Sequence, residues 1–554
     1  MAERYLVITE VSQKQAYIFR RNELQINVNN SAAIAWITSP DYFKRAVGGA
    51  FSESQNLVYA GGGHSVLQFE SENAAKEFCR KLSLKAHKEF PDMEVFTKVT
   101  KYDEHLDLDE RGRVVAFDPE NAPNDPKVNA ANIRHLIEEL EKKKSVRRST
   151  FHQGTFGIEN LDSTDFAPVP SYTDAEKKEK KELQDIIRNI AKEEDQKVLS
   201  EGYKMPGKFE DLGGSKGESN FIAVIHIDGN GMGNRVLDFQ KSLPGSPDKW
   251  DAFREELDVF SRKIDADFKK AFLEMNKTIV FNLEKKNPNK KELRNRKLEQ
   301  LNLIDGLLPV RRIITSGDDI CFVAEGRIGI EAAAIFLEKL AAIMGGDGRP
   351  YGACAGVVIV HSHFPFYRAY DLAEQLCRDA KSVNAKIAGN RATEISSIDW
   401  HLEFGEMQDR LKDIRKEYET MDGRQLELRP YIVCEPNPEA SYEPNRQYGK
   451  FKKVEQMLQD RDEGFPSGKI KELRGVLKQG EEKTRHYLDF GHMSGLTMES
   501  YEGIFTELTT EMIGTGKGLA HKTFISVKGD DKEHAILFDA IELMDTYIPL
   551  ERQV

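Results

Sequence analysis

Short apolar stretches and helical spacings alternate along the front of the chain. Tyr5 to Val11 (YLVITEV) predicts a strand, Gln13 to Val28 follows at helical spacing, and Leu57 to Phe69 reads as a hairpin turning at Gly61-Gly62-Gly63. Glu72 to Phe90 predicts an amphipathic helix with Ala75, Phe78, Cys79, Leu82 and Ala86 on one face, and Met93 to Val99 predicts another strand. Strand, helix, hairpin, helix, strand is a ferredoxin-like order, in which two helices cover one face of an antiparallel sheet. The plan returns from Phe221. FIAVIHID is a strand apolar on both faces, Arg311 to Gly326 a hairpin turning at Gly317-Asp318-Asp319, Glu331 to Met344 a helix and Tyr351 to His361 a β-rich run. Charged helices at Trp250 to Met275 and Lys291 to Ile304 separate the second unit's first strand from its hairpin. The two units look like an old duplication, with glycines in the first turn where the second has two aspartates.

Four regions follow. Residues 1–105 read as a first ferredoxin-like unit, and 106–215 as a helical middle segment with helices at Ala130 to Lys144 and Asp174 to Ser200. Gly213, Gly214 and Gly217 read as a flexible entry to the second ferredoxin-like unit, 216–400, which carries the helical insertion at 245–305. Residues 401–554 read as a separate helical bundle, with helices at Glu406 to Met421, Lys450 to Asp460, Gly468 to Tyr487, Tyr501 to Ile513 and His534 to Tyr547. The expected fold class is α+β.

With 554 residues, 39% hydrophobic and 31% charged, the chain is long enough for several cores. No window approaches the roughly 18 uninterrupted apolar residues of a membrane span, and no signal peptide opens it, so the expectation is a cytoplasmic protein with no membrane partner. Five scattered cysteines without a C-x-x-C pair indicate neither a disulfide framework nor a cysteine zinc site. A net charge of −12 disfavours sequence-independent capture of long duplex DNA. The basic run Lys285, Lys286, Lys290, Lys291, Arg294, Arg296 and Lys297 is interleaved with acids and lacks aromatic stacking residues, so it reads as a solvated insertion helix.

The chemistry concentrates in two strings. Asp228-Gly229-Asn230-Gly231-Met232-Gly233 stands at the end of a buried strand where a helix should start, a place where glycines admit a ligand to the backbone and free N–H groups attract phosphate. Ser316-Gly317-Asp318-Asp319 puts adjacent carboxylates in a tight turn. Either string alone also fits an ordinary turn or loop. If the Asp228 strand pairs beside the hairpin, three carboxylates converge on one sheet edge, an oxygen-only set for hard divalent cations. Two Mg²⁺ or Mn²⁺ ions there would support attack of a ribose 3′-hydroxyl on the α-phosphorus of a nucleoside triphosphate.

DGNGMG at Asp228 to Gly233, RRIITSGDD at Arg311 to Asp319 and YGACAGVVIVHSHFPFYRAYDLAEQLCRDAK at Tyr351 to Lys381 together resemble the second palm of the large subunit of type III CRISPR effector complexes. That family makes cyclic oligoadenylates from ATP, and its first palm lacks metal ligands, as the glycine turn here would suggest. The resemblance implies that Asp228, Asp318 and Asp319 are catalytic and bind metal, with Ile227 as a backbone contact. It implies that Gly229, Asn230, Gly231, Gly233, Ser316 and Gly317 line the nucleotide and that Lys381 reaches the triphosphate. Arg235 and Arg368 either face phosphates or have a surface or fold-stabilising role. Phe364, Phe366, Tyr367 and Tyr370 read as packing residues.

Ser316 replaces the first glycine of the family's usual G-G-D-D turn, and serine is small enough to keep it. Neither the N-terminal HD nuclease nor the zinc site of the middle domain is expected, which makes a compact relative, within or outside an RNA-guided complex, the expectation. The expected function is metal-dependent condensation of nucleoside triphosphates, ATP foremost, into a short cyclic or linear signalling oligonucleotide for antiviral defence. Expected partners are RNA or defence-complex subunits and a downstream effector activated by the oligonucleotide. The alternatives are a catalytically silent nucleotide-binding or scaffold subunit, and a templated polymerase or diguanylate cyclase.

Overall fold

The computed structural model describes residues 3–117, 126–146, 160–161, 168–169, 173–212, 220–285, 293–403, 410–459, 467–490 and 523–552. Two sheets dominate a mixed α and β architecture. In the first, β1 (Tyr5–Ser12), β2 (Leu57–Gly61), β3 (His64–Phe69) and β4 (Glu94–Lys101) lie antiparallel in the order β2-β3-β1-β4. Alternation along β1 sends Tyr5, Val7 and Val11 into one core and Leu6 and Ile8 into another, so this sheet is covered on both faces rather than the one expected.

The helix read over Gln13 to Val28 is two: α1 (Lys14–Ile18) and α2 (Leu24–Ile37). Gln13 marks the exit from β1 with φ +51°, the one positive φ at a non-glycine among the described residues, and caps the start of α1, which runs for five residues. The helix α3 (Glu72–Glu89), capped by Ser71, follows β3, and α4 (Val128–Ser145) and α5 (Asp174–Val198) lie in the middle segment. Thr173 and Glu176 cap α5 reciprocally, which fixes where the charged helix starts.

The second sheet contains β5 (Phe221–Gly229), β6 (Val310–Ser316), β7 (Asp319–Glu325), β8 (Ala353–His361), β9 (Ser396–Glu403) and β10 (Tyr431–Cys434), in the order β6-β7-β5-β8-β9-β10. Its first four strands repeat the order of the first sheet. Only β8 and β9 pair in parallel, joined by the long helix over Phe366–Ala388. The intervening helices are α6 (Met232–Ser242), α7 (Trp250–Leu283), α8 (Gly329–Ala341) and α9 (Phe366–Ala388).

Helix α7 ties the two sheets together. At 34 residues it is about 51 Å long. Its first turns bury Trp250, Phe253 and Leu257 against the first sheet, while Phe260 to Leu283 enter the core of the second. On the other face, Ile222 and Val224 of β5 share a core with Ile18, Phe19 and α2. The expected second insertion helix at Lys291 to Ile304 is a 3₁₀ turn, Arg296–Gln300, in the described part.

The expected boundary at 400 falls inside β9, and the chain beyond it does not form a separate helical bundle. Strand β10 extends the sheet, and Phe524, Ile525, Leu537, Phe538 and Leu550 lie in the same core as Ala223 and Ile225 of β5. Buried Glu331 of α8 gathers Tyr448, Tyr547 and Arg552 around its carboxylate, so the C-terminal segment is bolted to the second sheet by a satisfied charge cluster. The helix read over Glu406 to Met421 is Leu411–Glu417 in the described part. Gly468 to Tyr487 breaks at Gly480, φ +97°, into α11 (Ser467–Leu477) and α12 (Glu481–Phe490), after α10 (Tyr448–Gln459). His534 to Tyr547 is a strand end followed by α13 (Phe538–Leu543). Gly213, Gly214, Gly217, Lys286, Lys290, Lys291 and the helix read at Tyr501 to Ile513 lie outside the described residues. Among the described residues no helix is long and apolar enough to cross a membrane, and all five cysteines are free.

Candidate active site

Strand β5 is central, with β7 on one side and β8 on the other, and its tip carries Asp228. The register places Asp228 directly opposite Asp319, the first residue of β7. Ser316 pairs with Asp319 across the hairpin, leaving Gly317 (φ +65°) and Asp318 as a two-residue turn. The Gly229 amide donates to the Asp318 carbonyl at 3.3 Å, which closes the turn over the strand tip. Gly229 has no room for a side chain there, because a Cβ would stand 2.6 Å from Met232 Cγ and 3.0 Å from Asp318 Cβ. The three aspartates therefore share one edge of the second sheet. Ile227 sits one residue deeper, its side chain in the core and its register partners Ile320 and Ala355.

The loop after Asp228 is fixed from below. The Asn230 amide N–H donates to the Gly352 carbonyl at 2.9 Å, and its side-chain amide donates to the Ile395 carbonyl at 2.7 Å. Asn230 is thus a buried brace rather than an exposed loop residue. Gly231 caps α6 in the left-handed region (φ +62°), and Gly233, in the first turn, has nothing within 4 Å of a would-be Cβ. From α9, Lys381 Nζ donates to Asp228 Oδ2 at 2.6 Å and to the Gly229 carbonyl at 3.0 Å.

Burial and the nearby Asp228 charge push both Asp318 and Asp319 up to about 7. Burial opposes the charge of Lys381, but the carboxylate of Asp228 outweighs it and the ammonium is held above its ordinary range. Burial likewise drives His226, one turn of the ladder below, down to about 4, so its imidazole is neutral; its Nδ1 is 3.4 Å from the Tyr370 hydroxyl. Asp319 Oδ1 is buried without a hydrogen-bond partner, an oxygen that a hard cation would satisfy. The donor set, carboxylate oxygens crowded enough to resist ionisation together, fits Mg²⁺ or Mn²⁺. Among the described residues no three carboxylate, imidazole or thiol groups close on one point, and the Lys381 ammonium holds the Asp228 carboxylate where a cation would stand.

Arg235 is a fold-stabilising residue. Its guanidinium forks onto Asp347 at 2.9 and 2.5 Å, reaches the carbonyls of Arg349 and Pro350, and lies over the Tyr351 ring. Arg368 is exposed on the first turn of α9, away from that cluster. Phe366 and Tyr370 pack on Phe19, as packing residues should, while Tyr367 is half exposed. Two contributors carry no motif. Asp265 on α7 accepts from the Gly317 amide at 3.2 Å and is held by Lys269, and Lys14 enters from the first sheet. Only the duplication hints at Lys14, since it follows the tip of β1 as the glycine loop follows β5.

No known protein family and no curated protein matches the chain in sequence. Solved structures do match. The crystal structure of Csm1 in T. onnurineus aligns over 99% of this chain and 70% of its own, with a TM-score of 0.52 and 14% identity. The chain has the fold of Csm1. The Csm1 of a Csm1-Csm4 cassette in complex with cA3 aligns over 93% of this chain at a TM-score of 0.48 and 13% identity, and one in complex with cA4 over 93% at 0.47 and 12%. This chain spans 66% of the length of those cassette Csm1 chains.

Proposed function

We propose that the chain is a palm-type nucleotidyltransferase, built on two ferredoxin-like palms of which the second is catalytic, and a compact relative of the type III CRISPR large subunit. It condenses nucleoside triphosphates, ATP foremost, into a short cyclic or linear oligonucleotide that signals in antiviral defence. The observation that carries this reading is the register pairing of Asp228 with Asp319 beside the Asp318 turn, with the Lys381 ammonium already on Asp228.

Asp228, Asp318 and Asp319, with the main chain of Ile227, would hold Mg²⁺ or Mn²⁺. When bound, the ions supply Lewis-acid charge that favours ionisation of the attacking 3′-hydroxyl and departure of pyrophosphate. The chain's own residues do the rest by position. The open face of Gly233 and the free amides at the start of α6 receive phosphate oxygens. Lys381 leaves Asp228 for the triphosphate, a cheap exchange because the pair is part exposed, 27% and 41%, and worth about 1 kcal/mol or less. Asn230 and Asp265 keep the two turns from shifting, which matters because misplacement by about 1 Å can cost on the order of 100-fold in rate. Defence-complex subunits, RNA and an oligonucleotide-activated effector are the partners this function would need.

Incubation with each NTP plus Mg²⁺ or Mn²⁺, read by mass spectrometry against an Asp318→Ala, Asp319→Ala double variant, tests the proposal. A short oligonucleotide formed only by the intact protein is expected. No product with any NTP, with RNA and partner subunits added, would leave a silent nucleotide-binding subunit as the function.

A further inference from the structure

Lys14 opens α1 directly after β1, and its ammonium donates to the Gly62 carbonyl in the three-glycine turn. That seat exists because the turn has no side chains. A Cβ on Gly63 (φ +74°) would lie 2.9 Å from Lys14 Cε and 3.1 Å from Nζ. The glycine turn in turn abuts the aspartate turn, for Gly62 Cα is 4.0 Å from where a Cβ on Gly317 would be. One face of α7 registers both, through Ser261 against Gly61 and, one helical turn on, Asp265 against the Gly317 amide. The ammonium of the first unit is therefore seated in the turn that abuts the carboxylate-bearing turn of the second.

Two groups at this junction are incompletely satisfied. Among the described residues, the Gly62 carbonyl is the single hydrogen-bond partner of the Lys14 ammonium and no carboxylate stands at ion-pair distance from it, although Glu10 of its own unit and then Asp319 and Asp318 of the second act on its charge. On the opposite side, Asp319 Oδ1 accepts no hydrogen bond, the neutral His226 imidazole standing 3.6 Å away. A neutral ligand answers neither need. A ligand that presents a cation to the aspartates and an anion to the lysine answers both, and a metal-chelated triphosphate is that chemistry.

Given the nucleotidyl-transfer function proposed above, we infer that Lys14 is a phosphate-binding residue of the nucleotide site, supplied by the first unit and seated by its glycine turn, so that Lys381 and Lys14 grip the triphosphate from opposite sides. The first unit is then a working half of the site, and its glycines are the adaptation that makes room for the lysine.

Equilibrium binding of a non-hydrolysable α,β-methylene ATP and of adenosine, with Mg²⁺, to the intact protein, Lys14→Met, Lys14→Arg and Gly63→Ala, tests this, with thermal melting alongside. Lys14→Met should weaken the analogue by about tenfold or more, the scale of one charged hydrogen bond, while adenosine binding holds. Its melting temperature should hold or rise, and Lys14→Arg should recover part of the loss. Gly63→Ala should weaken the analogue by crowding the seat, with no further effect in the Lys14→Met background. An unchanged ratio of analogue to adenosine affinity in both Lys14→Met and Gly63→Ala, whatever the melting temperatures, would make Lys14 a structural residue and overturn the inference. Failure of the intact protein to bind the analogue would instead overturn the nucleotidyl-transfer function itself.

Discussion

Lys381 bridges the tip of β5, 2.6 Å from the Asp228 carboxylate and 3.0 Å from the Gly229 carbonyl. A part-exposed pair of this kind contributes about 1 kcal/mol or less to folding. Its worth lies in what the ammonium does once phosphate arrives. Lys381→Met should leave the melting temperature within a few degrees of the intact protein and lower kcat/KM for ATP by roughly 100-fold, the scale of one lost charge contact in a developing transition state. Lys381→Arg should recover only part, because a planar fork replaces a compact point charge. Steady-state kinetics beside a melting curve check both.

The aspartates set the pH response. Asp318 and Asp319 stand at about 7 in the folded chain against an ordinary value of 3.8, so between those values the folded state holds more protons than the unfolded one. Stability of the metal-free protein should therefore fall as pH rises through that window. Divalent cations compete with those protons, so the Mn²⁺ concentration at half-saturation should drop as pH rises from 6 to 8. Calorimetric titration at several pH values measures this, and Asp318→Asn, Asp319→Asn should flatten both trends.

Gly229 and Gly233 should respond in opposite ways. Alanine at 229 meets Met232 and Asp318, so activity should fall at least tenfold as the turn is pushed aside. Alanine at 233 meets nothing and stands in a helix, where it should stabilise by about 0.5 to 1 kcal/mol. If phosphate approaches that face, the same variant loses ATP affinity while gaining melting temperature.

Local chemistry made the core of this site legible in the sequence. Asp228 ends an apolar run and Asp318-Asp319 fill a hairpin turn, and the sequence left the pairing of their strands as a condition that the register meets. Residues that act from another element were not legible. Asp265 is one carboxylate among many on a charged helix, and Lys14 is a lone lysine after a strand; each gains its place from the packing of α7 across both turns. Arg235 was ambiguous because its partner Asp347 is far along the chain. Strand β10 escaped notice because four residues are too few for a periodicity, and the C-terminal segment was misjudged because its helices, which do pack on one another, also share one continuous core with α8 and the second sheet.

Away from the site, Glu455 of α10 is 2% exposed, and burial pushes its carboxyl up to about 7, with Oε1 unpartnered. Above pH 7 that group must ionise inside the core. Glu455→Gln should raise stability by about 3 kcal/mol at pH 8 and change little near pH 3, where the acid is neutral in both folded and unfolded chains. Urea unfolding at the two pH values decides it.

The central claim is a bond-making one, that the three aspartates direct attack at the α-phosphorus of a nucleoside triphosphate. Pyrophosphate and orthophosphate released from ATP, counted against adenylate incorporated, test it most directly. Pyrophosphate released one for one with adenylates in a closed ring, or one fewer in an open chain, and lost in Asp228→Ala, is the result expected. Orthophosphate alone, or pyrophosphate release that survives Asp228→Ala, would contradict it.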